Sequence, residues 1–172
     1  MKTQLKIFAL FTLLLLYSCK ENSDKVSKNN DADNEFLKTL VERQIGKSNY
    51  YISLPKDYVI EETNGEDFSV YHFYPADSTK KADFSGGFYF GNHPSQFPPD
   101  SKSCTTENKK NRILGQDSNW TVYNCDGNYS VQTIIDSKSG ENWNELLHIF
   151  GNTKSNKNLN NMLLIFSTMK KN

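Results

Sequence analysis

The stretch VIEETNGEDFSVYHFY, residues 59–74, decides the fold because it carries the clearest hairpin signal in the chain. Asn64-Gly65 lies between two runs that are rich in β-branched and aromatic residues. An Asn-Gly pair between such runs is the strongest short-range indication of a β-hairpin. The stretch therefore predicts two antiparallel strands joined at this turn.

Strand-like composition recurs further along the chain, in four runs: residues 84–90, 120–125, 129–135 and 146–150. Asp126-Gly127 separates two of these runs and predicts a second hairpin. Within the first run, Gly86-Gly87 indicates a bulge or a close approach of another backbone. The sheet that these runs predict is mainly antiparallel, because neighbouring strands are joined by short turns.

Two amphipathic helices are predicted, one at each end of the sheet. In the first, Asp33 suits the N-cap and Gly46 the end, and apolar residues recur at helical spacing: Phe36, Leu37, Leu40, Val41 and Ile45. In the second, Ser155 suits the N-cap, and one face is apolar: Leu159, Met162, Leu163, Phe166 and Met169. The sequence thus predicts one α+β domain over residues 32–172, with an antiparallel sheet flanked by an N-terminal and a C-terminal helix.

The first 18 residues have the layout of a bacterial export signal. Two lysines precede an apolar run at residues 7–17, which is too short to span a bilayer as a helix. The next step, Leu-Tyr-Ser-Cys at residues 16–19, resembles the bacterial lipoprotein signal, in which the Cys is diacylated and the chain is cleaved before it. The resemblance implies lipidation of Cys19 and anchoring in the bacterial outer membrane; an ordinary secretory signal is the alternative.

Residues 19–31 predict a flexible tether, because they are polar and charged and cannot bury enough apolar surface to become ordered. Their beginning, KENSD at residues 20–24, is similar to the surface-export signals of Bacteroidota lipoproteins, so the periplasmic face and the cell surface both stay open. Removing 18 of the 172 residues leaves 154, which suits one domain. It also leaves 18 basic against 20 acidic residues, a formal charge of −2, so no basic field would attract nucleic acid.

The three cysteines fit this arrangement. Lipidation of Cys19 leaves Cys104 and Cys125 as a single pair, and an exported protein favours a disulfide between them. Two free, buried thiols in adjacent strands are the alternative. Neither residue lies in a Cys-x-x-Cys motif, so a catalytic thiol is not predicted.

Two segments resemble PsbP-like domains. YYISLPKDYVIEE, residues 50–62, places a short strand before Leu-Pro and a second strand after the turn. LLHIFGNTKSNKNLNNMLLIFSTMK, residues 146–170, is similar to the closing strand and helix of that family. Over residues 49–169, the resemblance implies an α/β/α sandwich that acts as a binding or assembly module, and it transfers no catalytic residue.

Recognised catalytic and metal-binding motifs are absent from the sequence. There is no HEXXH, Cys-x-x-Cys or Gly-x-Ser-x-Gly pattern, so we predict neither a metal site nor a cofactor. Carboxylates cluster around the Asn64-Gly65 turn: Glu61, Glu62, Glu66 and Asp67. This cluster is typical of a solvated hairpin tip, and a small envelope hydrolase that uses a carboxylate pair is the alternative.

Aromatic residues concentrate in the middle of the chain, beside a proline-rich stretch at residues 93–110 that predicts a long exposed loop. Because aromatic side chains are enriched at interfaces, we expect a partner-binding surface that includes Tyr71, Tyr89, His93 and Phe97. The sequence thus predicts a lipid-anchored, non-enzymatic protein that contacts a protein partner in the envelope. An immunity-type lipoprotein that neutralises a periplasmic toxin is a narrower version, and a structural role in envelope assembly is a third interpretation.

Overall fold

The computed structural model describes residues 23–66, 68–100, 103–137 and 146–172. The predicted signal at residues 1–18 and the predicted lipidation site at Cys19 lie outside the described residues. Helix α1, Ser23–Lys38, belongs to a unit that ends at Lys38, and residues 39–172 form a second unit. Among the described residues, neither helix combines the length and the apolar character that a bilayer-spanning helix requires.

The second unit is built almost entirely from strands. Its described elements are β1 (Val41–Gln44), β2 (Tyr50–Leu54), β3 (Tyr58–Asn64), β4 (Ser69–Pro75), β5 (Phe84–Gly91), β6 (Thr105–Ile113), β7 (Gln116–Cys125), β8 (Asn128–Asp136), β9 (Leu146–Thr153), α2 (Asn156–Ser167) and β10 (Lys170–Lys171). The large sheet has seven antiparallel strands in the order β3-β4-β5-β9-β8-β7-β6. The small sheet has the order β1-β2-β10.

The hairpins predicted from the two Gly-containing turns are confirmed. Strands β3 and β4 pair up to Asn64 opposite Ser69, and the Gly65 N–H donates to the Phe68 carbonyl at 2.9 Å. Strands β7 and β8 are joined at Asp126 and Gly127, whose φ angles of 54° and 83° are those of a tight hairpin turn. A third hairpin, between β6 and β7, has the same signs of φ at Leu114 and Gly115.

Helix α2 packs on one face of the large sheet and forms the core with it. Ser155 caps the helix as expected, since its Oγ accepts a hydrogen bond from the Asn158 N–H at 3.1 Å. The Phe166 ring stacks on Trp120, with ring centroids 4.9 Å apart, and meets Phe73 and Phe88 edge-on. All four side chains are completely buried. This aromatic cluster therefore fixes the helix against the middle of the sheet.

The predicted fold class is wrong. The domain is mostly antiparallel sheet in two sheets, and the helix flanking it at the N-terminal end does not exist beyond Lys38. Val41–Gln44, which we assigned to that helix, is strand β1 and pairs with β2 from Val41 opposite Leu54 to Gln44 opposite Tyr51. The helical spacing of apolar residues that ends at Ile45 therefore predicts the wrong element. Ile45 is buried, but it directly follows strand β1 and does not lie on a helix face. The α/β/α sandwich that the PsbP-like resemblance implies is therefore wrong as well.

The predicted loop at residues 93–110 is also shorter than expected. Thr105–Ile113 forms β6, and its nine residues all pair with β7. This strand lies at the edge of the sheet, and its side chains are mostly polar or charged and face solvent. Such side chains discourage pairing with other chains, and they also give the segment the composition of a loop.

The disulfide between Cys104 and Cys125 is confirmed. Cys104 directly precedes β6 and Cys125 ends β7, and their Cα atoms are 4.3 Å apart. The bond closes a sequence separation of 21 residues around the β6–β7 hairpin. By the chain-entropy model, it stabilises the fold by about 3 kcal/mol.

We expect Phe166→Ala to lower the free energy of unfolding by about 3–5 kcal/mol, because it removes the ring that Trp120, Phe73 and Phe88 surround. Urea denaturation followed by tryptophan fluorescence measures the loss. Asn160→Ala, at an exposed position of the same helix, is the matched control and should change stability by no more than about 0.5 kcal/mol. Equal losses in the two variants would contradict this account of the core.

Candidate functional site

The two faces of the large sheet differ in what covers them. Helix α2 lies on one face, where a Cβ at Gly151 would collide with Met162 Sδ. The small sheet packs on the same side, since the rings of Tyr50 in β2 and Phe90 in β5 are 5.2 Å apart. Within the described part of residues 39–172, no helix lies on the other face.

We call that second face the open face. Successive side chains of a strand point to opposite faces of the sheet, and residues that are paired across two strands point to the same face. The pairing of the strands therefore shows which side chains lie on the open face. Its central members are His72, Tyr74, Tyr89, Gln132, His148 and Phe150. These central members of the open face are therefore aromatic rings, imidazoles and an amide.

Phe97 lies on the open face although it belongs to no strand. Its ring centroid is 5.2 Å from that of His148 and 5.9 Å from that of Phe150. Its backbone N–H donates to Gln132 Oε1 at 3.0 Å. Even so, 58% of its surface is exposed. Phe97 is thus held in place from below while its upper side faces solvent.

His148 supports Phe97 and is itself almost completely buried, with 1% of its surface exposed. Its Nε2 lies 3.0 Å from Gln132 Oε1. The Phe97 N–H can only donate a hydrogen bond, so the Gln132 atom that it contacts is the amide oxygen. Because this oxygen can only accept, His148 carries its hydrogen on Nε2 and donates it to Gln132 Oε1. Burial lowers the pKa of His148 to about 4. The imidazole is therefore neutral near pH 7, and the centre of the open face carries no charge there.

The aromatic contacts continue on both sides of Phe97. Tyr89 lies directly opposite His148 across β5 and β9, and Phe68 stacks on Tyr89 with centroids 5.6 Å apart. On the other side, the rings of His72 and Phe150 are 6.1 Å apart. Gly87, which lies between these two residues in the sheet, allows this contact, because a Cβ there would lie 2.7 Å from Phe150 Cζ. The result is one continuous surface from Phe68 to His72.

The structure brings only some of the predicted partner-binding residues together. Tyr89 and Phe97 share the open face, and His93 is exposed in the segment that leads to Phe97. Tyr71 is buried on the opposite face, where its ring meets Phe90 and its hydroxyl donates to Glu62 Oε1 at 3.1 Å. The partner-binding role itself stays a prediction.

Sequence reasoning missed three residues that build the surface: Gln132, His148 and Phe150. Each lies in a strand that was predicted, but only the pairing of β9 with both β5 and β8 sets them side by side. The one available indication was His148 itself, a polar residue between Leu147 and Ile149 in an otherwise apolar strand.

The carboxylates near the first hairpin do not converge. Glu61 lies opposite His72 on the open face and accepts a hydrogen bond from the Tyr74 hydroxyl, whereas Glu62 lies opposite Tyr71 on the other face. Glu66 is exposed, and Asp67 lies outside the described residues. Nor do the described residues contain a group of three or more His, Cys, Asp or Glu side chains placed to hold a metal ion.

Comparison with models of protein families, with curated proteins and with solved structures finds no match to this chain. Neither a lipoprotein family nor a PsbP-like domain is identified in this way. The open face therefore has to be interpreted from its own chemistry.

The buried imidazole makes stability depend on pH. The pKa of His148 is about 4 in the folded chain and 6.5 for an exposed histidine, so the unfolded chain binds more protons between these limits. Stability should therefore fall as the pH drops from 6.5 toward 4, by up to about 2 kcal/mol at pH 5. Urea midpoints at pH 7 and pH 5 measure this loss. It should shrink in His148→Gln and persist in His72→Gln, a matched control at an exposed histidine; identical losses in all three proteins would refute the assignment.

Proposed function

We propose that this protein is a lipid-anchored, non-enzymatic binding protein of the bacterial outer membrane, and that it holds a protein partner of the envelope against its open face. The observation that carries the proposal is Phe97, an aromatic side chain that is 58% exposed and yet fixed by a backbone hydrogen bond and two ring contacts. Aromatic residues, Phe among them, are enriched at protein interfaces, where a few well-packed side chains carry most of the binding energy.

The support beneath Phe97 favours binding because it lowers the entropy cost of association. A ring that is already held on His148 and Phe150 loses little freedom when a partner covers it. Phe68, which is 38% exposed, extends the apolar area through Tyr89. A partner can therefore bury several aromatic rings without rearranging the sheet.

The charge pattern points to the chemistry of the partner. His148 is neutral, and the uncharged side chains beside it are the Phe97 and Phe150 rings, the Gln132 amide and Ile134, which lies opposite it in β8. Interface centres are depleted of charged residues in the same way. The expected partner surface is accordingly an apolar, weakly charged patch on a folded protein, and its binding should vary little with salt concentration.

The proposed anchor rests on the Leu-Tyr-Ser-Cys step that ends at Cys19 and on the polar residues that follow it. The Cys104–Cys125 disulfide is consistent with export, since such bonds persist in oxidising compartments. An envelope location would bring the open face into reach of other envelope proteins.

Growth of expressing cells with an alkyne analogue of palmitate tests the anchor. The wild-type chain should become labelled and remain with the membrane fraction, because diacylation places lipid on the Cys19 thiol. Cys19→Ser should abolish both properties, whereas Ser18→Ala, which keeps a small residue before the Cys, should retain them. Labelling that survives Cys19→Ser would exclude this anchor, and unlabelled wild-type protein would point to an ordinary secretory signal.

Photo-cross-linking in intact cells tests the partner-binding surface. A benzoylphenylalanine at position 97 should give one discrete adduct, because the ring would touch the partner directly. The same group at position 160, on the exposed side of α2, should give none and is the matched control. The partner identified in the adduct should then bind the purified wild-type protein at least about tenfold more tightly than Phe97→Ser.

Equal adducts at positions 97 and 160, or equal affinity of the wild-type protein and Phe97→Ser, would reject the open face as the binding surface. A partner that is toxic in the periplasm would specify the narrower, immunity-type version of the proposal. The hydrolase alternative gains no support, since Glu61 and Glu62 point to opposite faces of the sheet.

A further inference from the structure

A second feature of the domain lies at the end of the large sheet, where the open face continues beyond Phe150 and Gln132. There, β5 begins, β9 ends and the β7–β8 hairpin turns, and these segments enclose an open cleft of about 490 Å³. Ligand sites for small molecules have volumes of roughly 300–1,000 Å³. The cleft is therefore large enough for a small organic molecule.

The charged side chains that line the cleft are all positive. Lys81 lies three residues before β5 begins, and Lys154 directly follows β9, so both lysines lie at the same end of two paired strands. Neither forms an ion pair with any described residue. Among the described residues, no carboxylate lines the cleft, although Asp83 and Asp126 are close in sequence to lining residues. The first turn of α2, which follows Lys154, contains no acidic residue. Two unneutralised ammonium groups on one cleft favour an anionic ligand.

The remaining polar groups are neutral and arranged in a row. Ser85 lies opposite Asn152, and Asn152 lies opposite Ser130, so the three side chains share one face across β5, β9 and β8. Neighbouring strands place them about 5 Å apart. Hydroxyl and amide groups can both donate and accept hydrogen bonds, so this row suits a ligand with several hydroxyl groups.

The cleft also offers an apolar surface. The half-buried ring of Tyr129 lines it together with Ala82. Cys125 contributes as well, and its bond to Cys104 ties the end of β7 to the start of β6. The cleft thus has a fixed wall against which the C–H face of a sugar ring can pack.

We propose that this cleft binds an acidic sugar, meaning a saccharide that carries a carboxylate or a phosphate group. Lys81 and Lys154 would bind the anionic group, and Ser85, Asn152 and Ser130 would bind hydroxyl groups. The inference goes beyond the proposed function, because it concerns a small-molecule ligand at the end of the open face and does not depend on Phe97 or on the lipid anchor.

Isothermal titration of the purified chain with four probes tests the proposal: glucuronate, glucose 6-phosphate, glucose and inorganic phosphate. At least one of the two anionic sugars should bind more tightly than both glucose and inorganic phosphate, since only the sugar acids use the lysines and the polar row together. Which of them binds better distinguishes a carboxylate from a phosphate ligand.

The double variant Lys81→Gln/Lys154→Gln should weaken binding of the preferred sugar by at least about tenfold, because it removes both charge-assisted contacts. The matched control is Lys56→Gln/Lys110→Gln, which removes the same charge from two exposed lysines outside the cleft and should leave affinity unchanged. Ser130→Ala should weaken binding of the sugar without affecting any binding of inorganic phosphate.

Three results would overturn the proposal: no measurable binding of either acidic sugar, equal weakening by the two double variants, or equal affinity for inorganic phosphate and the sugars. A failure of this kind leaves the cross-linking result at position 97 unaffected, so the two proposals are tested separately.

Discussion

The packing of Phe166 against Trp120 and the neighbouring phenylalanines determines the rest of the architecture. It brings α2 onto one face of a seven-stranded sheet, and β2 packs on the same side through Tyr50. Once the helix and the small sheet occupy that face, the side chains of alternate positions have to lie on the other. The chemistry of the open face is therefore a consequence of where the core forms.

Glycines allow the large sheet to pack against α2 on one face and to form the open face on the other. Gly151 allows Met162 to approach the backbone of β9 from the helix side, where any Cβ would collide with the sulfur. Gly87, on the opposite face, leaves room for the Phe150 ring to lie over β5 and meet His72. The same type of residue thus permits close helix packing on one face and a continuous aromatic surface on the other.

The predictable parts of this fold are those whose signals are local. The hairpins at Asn64-Gly65 and Asp126-Gly127, the Ser155 cap and the buried face of α2 all depend on residues close together in sequence. The sequence predicts a helix where strand β1 forms, because this strand depends on its pairing with β2, which no local pattern shows. The sequence predicts a loop where strand β6 forms, because an edge strand carries polar side chains. The turn after β6 gives no hairpin signal either, since Leu114 has a positive φ angle at a position where Asn or Gly is typical. Phe97 was predicted as a contact residue, but its support required the register of β5, β9 and β8, which no local pattern reveals.

The cluster beneath Phe97 is costly for folding, which is an argument for its role. Burial lowers the pKa of His148 to about 4, so the fold loses stability as the pH falls below 6.5. The Gln132 Nε2 atom is buried, with no hydrogen-bond partner in the described part of the chain, and such a donor costs about 1–3 kcal/mol. Apolar side chains at both positions would pack in the sheet without either cost, yet they would not supply the oxygen that holds the Phe97 backbone. Costs of this kind concentrate at functional sites, where position matters more than stability. Here the position that the cluster maintains is that of one exposed aromatic ring, which is what a binding surface requires and what a core does not.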